Sequence, residues 1–482
     1  MHNVHQFFHK YFYGIMGGYF LVLLYVFGQD PFFGDSITST SRLATNIYEN
    51  GTIFYAFGSD PGHPPLYSLF MALSWKLFGK SLLVSHIYGM LCCVFLLMGF
   101  RKLCSLYLNS TYTNYATLLV MAHPTFITQN AMMLNTAMLM GLFLFGVYYL
   151  LSNKALLFVL VTSIMMLTHL QGAYFLAAFA VGDFYLHWKK LEWKQFFVTR
   201  FFVYAIPFSV FMLWMIVHYK HAGWWIKSPD FTDTAETNSI GQIVKGLVYC
   251  IWRFIDYGMI IPIVFYAYFQ WKRKSATLNT QVFWVLVIVT SIILSITLKN
   301  TIAHRYFLGL ECWFLILFMN VLPASSLPQR IIYITTFLFL CIGSFIYYPG
   351  KTIADANIQY RGYFEIDQYA MKSYDDTSKV YSKAPIANPS KFIDLGSDNV
   401  AILRIGENLD SLPIVISSNI CAEFTHEEQE TLSHWYGRSF EHGAVYMNYY
   451  LNPKFYDKPE GWQLRSPGGL ELLILKLKKQ YK

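Results

Sequence analysis

Charged residues are scarce in this chain. Only 13% of its 482 residues are Asp, Glu, Lys or Arg, whereas ordinary soluble domains carry about 25%. Hydrophobic residues make up 55% of the chain, and its mean hydropathy is +0.37. A soluble protein of this size needs polar residues to cover its surface, and they are sparse before residue 350. The composition therefore excludes a soluble enzyme and predicts a polytopic membrane protein.

Cysteine spacings that would indicate disulfides or zinc are lacking as well. Most of the seven cysteines lie in apolar segments, and none of their spacings is typical of a zinc site. Cys421 is alone in the polar C-terminal tail, so the tail cannot form an internal disulfide. No small-residue cleavage site follows the apolar run Gly14–Phe27, so this run is predicted to be the first membrane helix rather than a cleaved signal.

Long apolar runs predict the membrane helices. A spanning helix needs ~20 apolar residues, with ~17 as a practical minimum. The eleven candidate runs are 11–28, 81–100, 112–131, 134–152, 155–171, 172–187, 199–218, 246–269, 279–298, 306–323 and 330–348. A further run, 64–79, begins with Pro64-Pro65 and ends at Gly79. It would form a helix of ~24 Å, too short for a hydrocarbon core of ~30 Å, so we predict that it lies at the interface.

The positions of the basic residues test this assignment. With the N-terminus in the cytoplasm and 64–79 not counted as a span, the densest basic clusters near membrane helices all fall on the inner side, as the positive-inside rule expects. They are Arg101-Lys102, Lys154, Lys189-Lys190-Lys194, Lys272-Arg273-Lys274 and Arg330. The formal net charge of +8 therefore reflects topology and not nucleic-acid binding. The stretch 155–187 stays open between two short spans and one long helix.

Three polar segments then share the outer side: 29–63, 219–244 and the tail from residue 350. In the first segment, residues 37–50 form an amphipathic pattern that predicts a helix ending at Gly51. The predicted buried face consists of Ile37, Thr40, Ala44, Ile47 and Tyr48.

The tail has the pattern of a small folded domain. Its strand-like runs are Val400–Ile405, Pro413–Ser417 and Leu470–Leu477. Between them, Thr425 and Glu428 form a capping box at the start of a helix. The fold class predicted for the whole chain is an all-α polytopic membrane protein of about eleven helices at 1–349, followed by a small α/β outer domain at 350–482.

An ordered series of short motifs resembles the GT-C glycosyltransferases, in the group of the protein O-mannosyltransferases and the aminoarabinose-lipid A transferases. The first outer segment reads F-F-G-D-S at 32–36, G-H-P-P-L-Y at 62–67 and L-F-G-K-S at 77–81. Downstream, 123–129 resembles the family's P-x-F-x-x-Q stretch and 167–172 its L-T-K-x-x-G turn. Residues 304–308 resemble its R-Y-x-L helix start, and the resemblance spans about residues 1–325.

The resemblance implies that a sugar passes from a polyprenyl-phosphate carrier to a lipid, protein or glycan acceptor at the outer face. Asp35 lies at the family's first-loop carboxylate position and is the candidate general base. Arg305 is the candidate partner of the donor phosphate, which a guanidinium can bind bidentately. The further candidates for substrate contact are His63, Tyr306, His169, Asn135, Gln171 and His304.

Each candidate also has a structural alternative. Asp35 could cap a helix that begins at Ser36, and Arg305 could be a snorkelling anchor. His304 and Lys299 could be interfacial charges, and His63 could orient the turn before the prolines.

Two positions depart from the family pattern. Asn135 occupies a position where many relatives have a carboxylate, and it could instead cap a helix. His169 replaces the lysine of the family's turn, which makes any charge there dependent on pH.

Arg253 and Asp256 are spaced i and i+3 within the run 246–269. Ionisable residues inside a membrane segment often mark a functional cavity. They favour the alternative of a transporter or lipid-handling protein, although no internal repeat of the kind many transporters show is evident. A non-catalytic scaffold, suggested by Asn135, is the third possibility.

The sequence points to a bacterial inner membrane, with the C-terminal domain periplasmic or extracellular, and leaves a eukaryotic endomembrane as the alternative. No metal-ligand pattern is evident, and the cofactor is unknown, with a divalent metal left open. The sugar, the carrier length, the acceptor and the oligomeric state are not specified by the sequence.

Overall fold

The computed structural model describes residues 2–30, 32, 36, 40–54, 62–187, 193–225, 239–273, 277–298, 302–322, 327–344, 380–382, 414–418 and 472–476. The α-helices of this part are α1 His2–Phe27, α2 Arg42–Asn50, α3 Leu66–Phe78, α4 Leu82–Cys104, α5 Ser110–Met121, α6 Pro124–Met132, α7 Thr136–Leu151, α8 Ala155–Met166, α9 Gln171–His187, α10 Trp193–Ala222, α11 Ile240–Ile255, α12 Ile260–Arg273, α13 Leu278–Thr297, α14 Leu308–Val321 and α15 Leu327–Gly343. A 3-10 helix, His304–Tyr306, precedes α14.

Membrane-spanning length is reached by four of the described helices. The segments Lys10–Phe27, Leu82–Cys104, Val198–Ala222 and Leu278–Thr297 are long and apolar enough to cross a bilayer. The pair α11 and α12 adds a fifth span if the two helices are one broken segment. The described residues up to 344 are helical and contain no strand, as predicted, whereas the count of eleven spans stays a prediction.

Two of the predicted runs are broken in the structure, and the stretch left open at 155–187 is resolved into two helices. Run 112–131 divides into α5 and α6 at His123, because Pro124 has no N–H to donate and favours the first turn of a new helix. The stretch 155–187 is two helices, α8 and α9, which excludes the alternative of one long helix, whereas two separate membrane spans there stay a prediction. Run 246–269 was expected to be continuous, but α11 and α12 meet at 91°.

The break between α11 and α12 has a backbone cause. Tyr257 has a φ of 49° and Gly258 a φ of 96°, so both residues leave the right-handed helical region. A Cβ atom on Gly258 would lie 2.5 Å from the carbonyl oxygen of Phe339 in α15. The bend therefore fits against α15 only with a glycine at 258.

The helices of the first outer segment follow the sequence pattern. Helix α2 begins at Arg42, with residues 37–39 outside the described part, and it ends at Gly51, whose φ is 69°. Its predicted face is buried at Thr40, Ala44 and Ile47. Helix α3 begins directly after Pro65 and ends at Gly79, whose N–H donates to the Trp75 carbonyl over 2.8 Å.

Glycines bring α4 and α7 close together. A Cβ atom on Gly99 would lie 2.9 Å from the carbonyl oxygen of Gly141, and one on Gly141 would lie 2.7 Å from the Phe95 ring. Small residues at such a contact let two apolar helices pack backbone against backbone. Tyr67 then joins α3 to the end of α6, because its hydroxyl donates to the Met133 carbonyl over 3.0 Å.

The described residues of the tail form a three-stranded sheet. Strand β1 (Val380–Ser382) is parallel to β2 (Ile414–Ser418), which is antiparallel to β3 (Leu472–Lys476). Strands β2 and β3 coincide with two of the strand-like runs, whereas 400–405 and the helix at 425–436 lie outside the described residues. The α/β domain at 350–482 stays a prediction.

Candidate functional site

The start of α3 lies against the turn between α8 and α9. The Leu66 N–H donates to the Leu167 carbonyl oxygen over 3.1 Å. Beside this bond, the rings of His63 and His169 pack with their centroids 4.0 Å apart. Two candidates that are distant in sequence are thus in direct contact.

The turn at Leu167–Leu170 sets the orientation of His169. Its Nδ1 accepts a hydrogen bond of 3.0 Å from the backbone N–H of Gln171, the first residue of α9. One of the unpaired N–H groups at the start of α9 is thereby satisfied. Since Nδ1 is the acceptor, the neutral ring carries its proton on Nε2. The Gln171 side chain is itself buried at this position.

His169 is uncharged at neutral pH. Its pKa lies well below the ordinary value, because burial disfavours the charged ring and because His63 and Arg305 add positive charge nearby. The neutral ring replaces the fixed cation that the family's lysine would supply. Arg305 lies near enough to His169 to lower its pKa. We call these three residues the His63–His169–Arg305 cluster.

Arg305 lies in the 3-10 helix directly before α14. Its side chain is half-buried, and its Nη2 donates to the Tyr306 hydroxyl over 3.3 Å. The guanidinium carbon is 5.1 Å from the centre of the Tyr306 ring. Tyr306, itself a candidate, therefore contacts the guanidinium of Arg305, the predicted phosphate-binding cation.

His304 is buried and does not lie exposed at the interface. Its Nε2 lies 3.2 Å from Oδ2 of Asp256, with the side chains only 2% and 6% exposed. Arg253 does not pair with Asp256, contrary to the spacing expectation: its Nε donates to the Ile302 carbonyl over 3.1 Å. Helix α11 ends at Ile255, so the i and i+3 positions do not lie on one continuous helix.

Asn135 occupies the N-cap position of α7 without capping it. Its side chain is buried and makes no capping hydrogen bond, so the capping alternative is wrong. Two residues before Asn135, Met133 ends α6 in the left-handed conformation with a φ of 55°. The roles of Asn135, Gln171 and His304 in substrate binding stay predictions.

A buried pair that sequence reasoning missed lies deeper in the bundle. Nε2 of His123 is 3.4 Å from Oε2 of Glu311, with side chains 3% and 2% exposed. Glu311 is in the first turn of α14 and is the only charged residue of the run 306–323. The sequence contained a signal for this pair, because a single carboxylate within an apolar run is expected to have a buried polar partner.

The end of the first outer segment packs against α10. The Phe54 ring stacks on the His221 ring at 4.0 Å, and the Asn46 side-chain amide donates to the Phe54 carbonyl. Glu49 forms an ion pair with Lys80 at 2.7 Å. The candidate base Asp35 and the interfacial residue Lys299 lie outside the described residues. Within the described part, no group of three or more His, Cys, Asp and Glu side chains is arranged to hold a metal ion.

Comparison with known proteins gives a structural likeness only. No protein-family model and no curated protein matches the sequence significantly. The apo structure of ArnT from Cupriavidus metallidurans superposes with a TM-score of 0.55 at 10% identity, over 79% of this chain and 83% of ArnT. The structure of ArnT bound to undecaprenyl phosphate gives 0.54 at 9% identity, over 97% and 98%. The chain has the GT-C fold of ArnT. The expected likeness to aminoarabinose-lipid A transferases is thereby confirmed for the ArnT fold, with no detectable sequence relationship.

Proposed function

We propose that the protein is a membrane glycosyltransferase that takes a sugar from a polyprenyl-phosphate carrier and transfers it to an acceptor at the outer face of the membrane. The observation that carries this proposal is the ArnT fold, which extends over 97% of the chain in the comparison with the undecaprenyl-phosphate complex. The acceptor is a lipid, a protein or a glycan. The multi-pass chain fits a bacterial inner membrane, with the N-terminus in the cytoplasm and the tail outside.

The His63–His169–Arg305 cluster supports the proposal. A transfer at the anomeric carbon breaks the bond between the sugar and the carrier phosphate, so a cation must stabilise the departing phosphate. Arg305 is the cation of this cluster, and its planar guanidinium suits two phosphate oxygens. His169 is neutral, so it can donate one hydrogen bond from Nε2 without adding charge.

Asp35 is proposed as the general base. The acceptor hydroxyl attacks the anomeric carbon, its proton passes to the Asp35 carboxylate, and the carrier phosphate leaves toward Arg305. A positioned base typically contributes ~10²–10⁴-fold to the rate. Asn135 cannot take over this role, because an amide does not accept the proton.

The transporter alternative is not favoured by a structural observation. It rested on Arg253 and Asp256 as an intramembrane pair, and both side chains bind the segment 302–304 instead.

The test compares polyprenyl-phosphate lipids by mass spectrometry in cells that carry the wild type, Asp35→Asn or Glu49→Gln. Glu49→Gln is the matched control, since it removes an exposed carboxylate of the same outer segment. We expect one sugar-loaded carrier to accumulate with Asp35→Asn and not with the control, which would also identify the sugar. An unchanged lipid profile with a properly expressed Asp35→Asn protein would overturn the role of Asp35 and bring the transporter and scaffold alternatives forward.

A further inference from the structure

The bend between α11 and α12 holds the segment that carries Arg305. Three successive contacts join the two parts of the chain. Arg253 donates to the Ile302 carbonyl over 3.1 Å, and Asp256 lies 3.2 Å from His304. The Tyr257 ring packs on the His304 ring at 4.6 Å. The three residues on the α11–α12 side, Arg253, Asp256 and Tyr257, lie within five residues of the bend. Their contacts all fall within residues 302–304.

The bend itself is fixed in place by hydrogen bonds to the Asp256 carboxylate and by packing against α15. Oδ1 of Asp256 accepts from the N–H of Tyr257 over 2.8 Å, and Oδ2 accepts from the Trp252 indole over 2.9 Å. No side chain fits at Gly258 against Phe339, and a Cβ atom on Gly343 would collide with the Tyr257 carbonyl. The carboxylate of Asp256 is therefore presented to His304 from a rigid position.

His304 and Arg305 share one short, hydrogen-bonded turn. They are adjacent in a 3-10 helix of three residues, closed by the Tyr306 N–H to the Ala303 carbonyl at 3.3 Å and the Phe307 N–H to the His304 carbonyl at 2.9 Å. A backbone that is already held in one place lowers the entropic cost of bringing the Arg305 guanidinium to an anion.

We propose that Asp256, acting through His304, is a positioning residue for Arg305, and that the α11–α12 bend sets the subsite for the donor phosphate. The inference rests on the proposed function, because it assumes that Arg305 receives the carrier phosphate. Asp256 does not touch the lipid and acts only by fixing the 3-10 helix.

The test measures binding of undecaprenyl phosphate and of undecaprenol to the purified full chain in nanodiscs. Four proteins form a double-mutant cycle: wild type, Asp256→Asn, Arg305→Gln and the double variant. Asparagine at 256 retains the acceptor for the Tyr257 N–H and removes the charge facing His304. We expect Arg305→Gln and Asp256→Asn each to weaken undecaprenyl phosphate binding about tenfold, as the loss of one charged hydrogen bond does. The double variant should bind like Arg305→Gln alone, and undecaprenol binding should not change.

The control is Asp183→Asn. Asp183 is a fully buried carboxylate that accepts from the Tyr204 hydroxyl over 3.0 Å and lies 3.5 Å from Arg200. Asp183→Asn therefore removes a buried, hydrogen-bonded negative charge, as Asp256→Asn does. We expect it to leave undecaprenyl phosphate binding unchanged. Should Asp256→Asn not fold, Arg253→Gln enters the same cycle, since it loses the bond to Ile302.

The outcomes separate the two proposals. If Arg305→Gln binds undecaprenyl phosphate as the wild type does, Arg305 is not the phosphate partner and the proposed site is wrong. If Arg305→Gln weakens binding but Asp256→Asn does not, only the positioning role is overturned. Additive losses, or an equal loss of undecaprenol binding, would assign Asp256 a general structural role and overturn the inference as well.

Discussion

The rings of His63 and His169 lie 4.0 Å apart and join the loop before α3 to the turn between α8 and α9. One of the two rings is held by a backbone bond from Gln171, and Arg305 acts on it electrostatically. The contact therefore joins two separate regions of the chain, and a third region, which carries Arg305, influences it electrostatically. Its properties can be tested without knowing the sugar or the acceptor.

Acid should destabilise the protein partly through His169. The pKa of His169 is lowered in the folded protein, so below the ordinary value of about 6.5 the unfolded chain binds a proton that the folded chain does not. The free energy of unfolding should then fall by about 1.4 kcal/mol per pH unit from this group. In the His169→Gln variant the new side-chain oxygen can still accept from the Gln171 N–H. The variant should lose the contribution of His169 to the slope of unfolding free energy against pH.

The measurement is denaturant unfolding of the wild type and His169→Gln between pH 7.5 and 5.5 in the same detergent. Equal slopes for the two proteins would show that His169 is not held neutral by the fold. His221→Gln is a control, since the His221 side chain is exposed.

The buried His123 and Glu311 should be strongly coupled. Removing one partner leaves the other polar side chain buried without it, which costs about 1–3 kcal/mol. We expect His123→Phe and Glu311→Leu each to lower the unfolding free energy, and the double variant to lower it by less than the sum of the two single losses. A double-mutant cycle followed by thermal unfolding measures this coupling, and independent effects would argue against a direct interaction at 3.4 Å.

The glycine contact between α4 and α7 should tolerate no added methyl group. Alanine at Gly141 places Cβ 2.7 Å from the Phe95 ring, and overpacking of this kind costs about 1–3 kcal/mol. Gly17→Ala in α1 is the matched control, because nothing lies within 4 Å of its Cβ position. That variant should be neutral or stabilised by up to about 1 kcal/mol. Thermal unfolding of both variants side by side checks the prediction, which fails if Gly141→Ala is as stable as Gly17→Ala.

Local features of the fold were predictable from the sequence where the chemistry is local. The face of α2, its end at Gly51 and the limits of α3 between Pro65 and Gly79 follow from periodicity and from the conformational preferences of Gly and Pro. The ArnT fold was anticipated from the order of motifs, and no single motif is specific enough to indicate it.

The α11–α12 bend could not be predicted in the same way. Tyrosine rarely adopts a positive φ, so the presence of Tyr257 does not predict a helix break. The break follows from packing against Phe339 and Gly343, which are distant in sequence. The partners of Asp256 and Arg253 depend on that bend, which is why their spacing suggested a pair that the structure does not contain. His123 and Glu311 are far apart in sequence, and nothing local links them.

The helix breaks at His123, Leu167–Leu170 and Tyr257 have a consequence for recognition. An unbroken membrane helix uses its own main-chain groups internally, whereas each break releases donors and acceptors at two new helix ends. At the Leu167–Leu170 break, some of these peptide groups bind other parts of the chain: the Leu167 carbonyl accepts from the Leu66 N–H, and the Gln171 N–H donates to His169. The bond between Leu66 and Leu167 uses main-chain atoms only, so it depends on where the helices stop and not on which side chains these two residues carry.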